Sequence, residues 1–204
     1  MKRMLWVALI ALTLPMAAFA NSGGVDFTNS GGALTGSSAG MSLSGSVLIA
    51  VNGLNGLGLV TGNDLGSVSF TTSMLMSGDL QQGGKFMAGG SFMIMGNGTN
   101  GIPNGTLFNG SFSGPVTWTL VTLANGTHNY TLEGSISGSW MGGGTVDGAT
   151  VQLTINTGKG FFNGSTTISS GDTNIGAVPE PGSLTLVGAG LVGLAGILRR
   201  KLKA

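Results

Sequence analysis

Turn residues, more than any other feature, limit what this chain can fold into. Across residues 21–178, Asn-Gly, Gly-Asn and Gly-Gly pairs cut the sequence into short runs. Each pair is a place where the backbone reaches positive φ at little cost. No run between them keeps a helical period with caps at its ends. Several alternate apolar and polar residues instead, the period of a strand with one buried face. Strands are expected at about 41–51, 67–76, 85–95, 106–113, 116–123, 128–137, 149–156 and 160–169. About eight short strands with turns between them predict an all-β fold, an antiparallel β-sandwich or a barrel-like meander. Residues 21–40 are rich in Gly and Ser with few apolar anchors, and are expected to form a loose lead-in or an edge strand to a β-domain at 41–177.

One hairpin is readable in detail. Val116, Trp118 and Leu120 alternate with Thr, and Leu132 and Ile136 alternate with Thr, Glu and Ser beyond Asn125-Gly126. A three-residue loop, Asn125-Gly126-Thr127, pairs Leu120 with Leu132 and Val116 with Ile136, and sets Trp118 opposite Gly134. A two-residue loop would split the apolar set between the two faces, so burial selects the longer one. Weak internal similarity, as between residues 108–114 and 132–138, is irregularly spaced and reads as reused strand-and-turn chemistry.

Composition removes several function classes. The chain has no Cys, which excludes disulfides, thiolate metal sites and a cysteine nucleophile. Net charge is +1, with most of the positive charge at the two ends, so no nucleic-acid footprint is present. The middle segment has Lys85 and Lys159 against Asp26, Asp64, Asp79, Glu133, Asp147 and Asp172, a net charge of −4. Charged residues are 7% of the whole, so solubility of the middle rests on Ser, Thr and Asn.

The two ends read as addresses. Lys2 and Arg3 precede an apolar run broken by Pro15, and Ala18-Phe19-Ala20 has small residues where signal peptidase requires them. A signal peptide over 1–20 in a helical conformation is expected, with Asn21 as the first mature residue. At the other end Pro179-Glu180-Pro181 is followed by an uncharged stretch, 184–198, and then by a tail, 199–204, with Arg199, Arg200, Lys201 and Lys203. As a helix the stretch rises about 22 Å, short of the roughly 30 Å hydrocarbon core. It predicts a single transmembrane helix that holds a membrane transiently. The cations stop transfer and leave the tail cytoplasmic, with the body of the chain outside. Two prolines keep the Pro-Glu-Pro segment extended and open to a protease.

The ordered triple over 178–204, behind an N-terminal signal peptide, resembles the PEP-CTERM sorting signal. The resemblance implies processing near Pro179, Glu180 and Pro181 by an exosortase, a membrane-embedded transpeptidase-like enzyme. It also implies transient contact with the inner membrane of a Gram-negative bacterium and release to the cell surface or medium. In that family the genes usually accompany exopolysaccharide production, which makes exopolysaccharide a candidate partner. With a bacterial source implied, the Asn-Gly-Ser/Thr tripeptides beginning at Asn97, Asn104, Asn109, Asn125 and Asn163 read as turns and not as glycosylation acceptors.

The middle offers little chemistry. Gly36-Ser37-Ser38-Ala39-Gly40 matches a nucleophile elbow, but that motif needs a strand before it and a helix after it, and a strand pattern follows here. His128, the single imidazole, adjoins a turn and is expected to be exposed. Glu133 and Asp147 are carboxylates without a demonstrated partner. Met74-Leu75-Met76 and Met93-Ile94-Met95 could present thioethers to Cu(I), but are expected to fill the core. Trp140 and Tyr130 are the aromatic residues most suited to a sugar platform. No metal or cofactor is expected.

These features favour a secreted, non-enzymatic surface or matrix protein. An extracellular carbohydrate-binding module is the second reading, a secreted hydrolase with paired carboxylates the third, and an outer-membrane barrel the fourth.

Overall fold

The computed structural model describes residues 24–176 apart from residue 142. The strands are β1 (Val25–Ser30), β2 (Ala33–Ser37), β3 (Gly40–Asn52), β4 (Val60–Thr71), β5 (Leu75–Asp79), β6 (Gly83–Phe86), β7 (Gly89–Asn97), β8 (Asn104–Phe112), β9 (Val116–Thr122), β10 (His128–Trp140), β11 (Thr145–Gly158), β12 (Ser165–Thr167) and β13 (Ser170–Ile175). A 3-10 turn at Leu54–Gly56 joins β3 to β4. No helix among the described residues is long and apolar enough to cross a membrane. The expected signal helix and transmembrane helix lie outside the described residues.

Eight strands close an antiparallel barrel in the order β11, β13, β1, β3, β4, β7, β8, β10, and β10 pairs back to β11. Closure leaves these strands no free edge. The alternation on β10 and β11 shows why the sequence takes this form. Tyr130, Leu132 and Ile136 on one, and Val151, Leu153 and Ile155 on the other, face the interior and are buried. Thr131, Glu133, Ser135, Thr150, Gln152 and Asn156 take the alternate positions and face out. Each large apolar side chain taken inside contributes about 1.5–3 kcal/mol. An outer-membrane barrel needs the reverse arrangement, an apolar outer band with aromatic girdles. Here the rings pack within: Phe70 stacks on Phe92 at 6.1 Å, and Phe112 meets both edge-on at 5.7 and 6.0 Å.

One end of the barrel is widened by the other strands. Four antiparallel steps separate β10 from β3 around the wall, so the two run the same way and their first halves lie at the same end. There β10 leaves β8 and pairs with β9, which continues into β6 and then β5. There also β3 leaves β1 and pairs with β2, which continues into β12. Leu75 N donates to Ser38 O at 2.9 Å, joining β5 to the β2–β3 turn. Ser169 N donates to Thr154 O at 3.0 Å and ties the chain beyond β12 to β11.

Several expectations need correction. The Gly/Ser-rich lead-in is neither loose nor an edge strand: β1 sits inside the barrel wall between β13 and β3, β2 lies between β12 and β3, and Phe27 and Leu34 are fully buried. The domain therefore begins at Gly24 among the described residues, not at 41. The run 85–95 is two strands, because β6 and β7 belong to different parts of the sheet. The run 67–76 likewise breaks after Thr71, and the strand at 160–169 shrinks to β12.

The β9–β10 hairpin keeps its predicted faces but slips by two residues. Leu120 pairs with Tyr130 and Trp118 with Leu132. The loop runs from Leu123 to Thr127, closed by Leu123 N donating to Thr127 O at 2.9 Å. Asn125 Oδ1 accepts from Thr127 N at 3.0 Å and from its hydroxyl, so the Asn-Gly pair builds the loop tip without ending the strands beside it. A two-residue slip returns every side chain to its original face, so burial alone does not oppose it. Gly134 is covered by Phe112 and Val116, not by Trp118.

Candidate functional site

The chemistry-bearing side chains divide between a sealed aromatic core at the widened end and a polar outer wall. Trp118 and Tyr130, on β9 and β10, stack at 4.7 Å with their planes 12° apart. Phe162 meets Trp118 edge-on at 5.4 Å. Trp118 Nε1 donates to Leu80 O at 2.9 Å, and Tyr130 Oη donates to Gln81 O at 2.7 Å. The same hydroxyl accepts from Phe162 N at 3.1 Å. The phenol is fully buried and its hydrogen-bonding capacity is used.

A sugar platform built from Tyr130 and Trp140 is therefore not what the structure forms. Tyr130 lies in the core, and Trp140 stands ten residues further along β10, as much as roughly 33 Å away on an extended strand. Trp140 is half-buried against Phe27, with ring centroids 6.0 Å apart. The two are not brought together.

Other candidates are placed as follows. Residues 36–40 span the end of β2, the turn at Ser38-Ala39 and the start of β3, a strand–turn–strand context in place of the strand–turn–helix of a nucleophile elbow. Gly36, Ser37, Ala39 and Gly40, but not Ser38, line a shallow depression of about 340 Å³ whose lining also includes the hydroxyl residues Thr35, Ser42, Thr71 and Thr72 but no titratable side chain. His128 is buried and not exposed. It stacks on Phe161 at 4.3 Å, and Nδ1 shares a 3.0 Å hydrogen bond with Thr122 Oγ1. Glu133 points outward and accepts from Gln152 Nε2 at 2.8 Å, while Asp147 accepts from the Ser137 hydroxyl. Neither carboxylate lines this depression or a second one of about 440 Å³ near Asp64, Ser67, Asn97 and Asn104.

The methionine expectation is reversed. Leu75 packs against the core and Ile94 is fully buried, while Met74, Met76 and Met95 are exposed and Met93 is half-buried. The alternation holds, but the intervening Leu75 and Ile94 take the inner positions. Among the described residues no cluster of three or more His, Asp or Glu side chains is arranged to hold a metal ion.

The outer wall carries the remaining polar groups. From β10 across β11 to β13, Glu133, Gln152 and Asp172 stand side by side in one row, and Asn129 pairs with Asn156 in another, with Asn156 Nδ2 donating to Asn129 Oδ1 at 2.8 Å. This surface offers neutral donors and acceptors with scattered carboxylates.

The proposed processing and membrane residues, Ala18, Ala20, Pro179, Glu180, Pro181, Arg199, Arg200 and Lys201, lie outside the described residues. Residues 177–201 match the PEP-CTERM protein-sorting motif, so the chain carries that signal at its C-terminal end. The signal implies export by the exosortase route to the cell surface or medium. No curated protein and no solved structure matches the chain.

Proposed function

We propose that this protein is a non-catalytic surface or exopolysaccharide-matrix component, exported with a cleaved signal peptide and released when an exosortase cuts near Pro179-Glu180-Pro181. The match to the sorting motif at residues 177–201 carries the reading. The barrel supports it in three ways. Most of its aromatic side chains are spent on the core, its outer wall is largely made of hydroxyl and amide groups, and closure protects the eight barrel strands from edge-to-edge pairing once the chain is outside. Signal peptidase and exosortase are transient partners, and hydrated polysaccharide is the lasting one. The inner membrane is touched only before release, with the basic tail Arg199-Arg200-Lys201 on the cytoplasmic side.

Intact-mass analysis of the form in the culture medium tests this. The expected species starts at Asn21, ends near the Pro-Glu-Pro segment and lacks the apolar stretch 184–198. The triple change Pro179→Ala, Glu180→Ala and Pro181→Ala removes the processing segment and is expected to leave a longer, membrane-held form. A full-length chain lodged permanently in the inner membrane of wild-type cells overturns the proposal.

A further inference from the structure

We propose that Met74, Met76 and Met87 form a three-thioether site for a soft monovalent cation, Cu(I) or Ag(I), on the outer face of the β5–β6 hairpin. The ladder places the three together. Leu75 is paired with Phe86, and Met87 N donates to Met74 O at 3.0 Å, so Met74 and Met87 are the next directly opposed pair. Leu75 and Phe86 turn inward to the core, which sends Met74 and Met87 out on the same face. Cβ atoms of opposed residues stand about 4.5–5.5 Å apart, within reach of two flexible thioethers converging on one ion. The register then shifts between Leu75 and Ser77, which makes Met76 the extra residue of a β-bulge beside that pair. Bulges re-aim side chains, and this one adds a third thioether at the same edge.

Core packing does not account for these side chains. Met74, Met76 and Met87 are 55%, 49% and 44% exposed. Each leaves in water apolar surface that the core does not use. Outward positions elsewhere on the barrel are largely Ser, Thr and Asn. Soft thioether sulfur selects Cu(I) among biological metals. The nearest hard donor on the hairpin, Asp79, has Oδ1 committed to the backbone N–H groups of Gln81 and Gln82.

The test is titration of the full chain, and of its released form, with Ag(I) alone and with Cu(I) alone under anaerobic competition with a chromogenic chelator. Reading both forms separates this site from the question of exosortase processing. One equivalent is expected to bind, with three methionine methyl resonances shifting together. Met74→Leu, Met76→Leu and Met87→Leu, which keep an apolar side chain on an exposed position, are each expected to weaken binding by about tenfold or more, no less than loss of a supporting contact at a metal costs. The triple variant is expected to lose it. Met95→Leu, an exposed methionine on β7, is the control and is expected to bind as wild type. Binding retained by the triple variant, equal weakening by Met95→Leu, or no stoichiometric binding overturns the proposal.

Discussion

Trp118 and Tyr130 lie face to face at 4.7 Å and hand their polar tips to consecutive carbonyls, Leu80 O and Gln81 O. The stack thereby fastens the turn of the β5–β6 hairpin to β9 and β10, and through Phe162 N to the segment before β12. A buried aromatic pair with satisfied polar atoms is worth more than its area, because removing one tip strands a desolvated partner. Tyr130→Phe keeps the ring and deletes the hydroxyl, leaving Gln81 O and Phe162 N without it. A loss of about 1–3 kcal/mol is expected. Trp118→Ala also opens a cavity and is expected to cost about 3–5 kcal/mol. Denaturant midpoints at unchanged slope measure both, and a Tyr130→Phe midpoint equal to wild type refutes the role given to the hydroxyl.

At Gly66 the backbone of β4 crowds that of β7. Its φ is 147°, and a Cβ added there would fall on the Met95 carbonyl oxygen, a backbone atom that cannot turn away. Gly45, in β3, has φ 67° but open space around the same atom. Gly45→Ala therefore carries only left-handed strain, about 1–2 kcal/mol. Gly66→Ala adds displacement of the neighbouring strand and is expected to cost more, or to prevent folding. Thermal midpoints of the two variants, compared side by side, check the order.

Asp26 makes stability depend on pH. Partial burial raises its carboxyl above the ordinary value of 3.8, the Asp172 carboxylate diagonal to it on β13 raises it further, and a hydrogen bond from the Phe27 backbone pulls the other way. The folded form thus holds the proton more tightly than the unfolded chain. This contribution is greatest below about pH 3.8 and is lost as pH rises through the raised folded value. Asp26→Asn is expected to match wild type at about pH 3 and to be the more stable protein at about pH 7. Asp172→Asn is expected to give part of the same gain. Thermal melts across that range decide it, and a gap that does not grow with pH counts against the assignment.

Legibility in the sequence follows the size of the inward residues. β3, β8, β9, β10 and β11 set Leu, Ile, Val, Phe or Trp on the inner positions, and alternation exposes them. β13 sets Gly171, Thr173 and Ile175 inward, and β1 sets Asn29 beside Phe27, so their pattern is nearly silent. The buried Asn29 amide donates through Nδ2 to Ser46 Oγ at 2.7 Å, while its Oδ1 has no hydrogen-bond partner among the described residues. Alternation also reports two faces without naming the inner one, which is why the core expected of Met74 and Met76 is formed by Leu75 instead. Tyr130 and Trp140 fail as a pair for a different reason: ring exposure depends on which strand covers the ring, and sheet order is not written in a local period. The sorting signal is legible because its three parts follow one another along the chain and need no fold to be recognised.

The two-residue slip of the β9–β10 hairpin gives a direct test of sheet register, because the chain has no cysteine of its own. Thr119 and Thr131 are opposed on the outer face. The shorter loop would instead oppose Thr119 to Glu133, which the observed register makes a diagonal neighbour. Opposed residues have Cα atoms about 4.5–5.5 Å apart and diagonal ones about 7–8 Å, and a disulfide closes only below about 7 Å. Thr119→Cys with Thr131→Cys is therefore expected to oxidise fully in the folded protein. Thr119→Cys with Glu133→Cys is expected to stay largely reduced. Free-thiol counting before and after mild oxidation reads the result, and preferential closure of the second pair would restore the three-residue loop and move Trp118 back over Gly134.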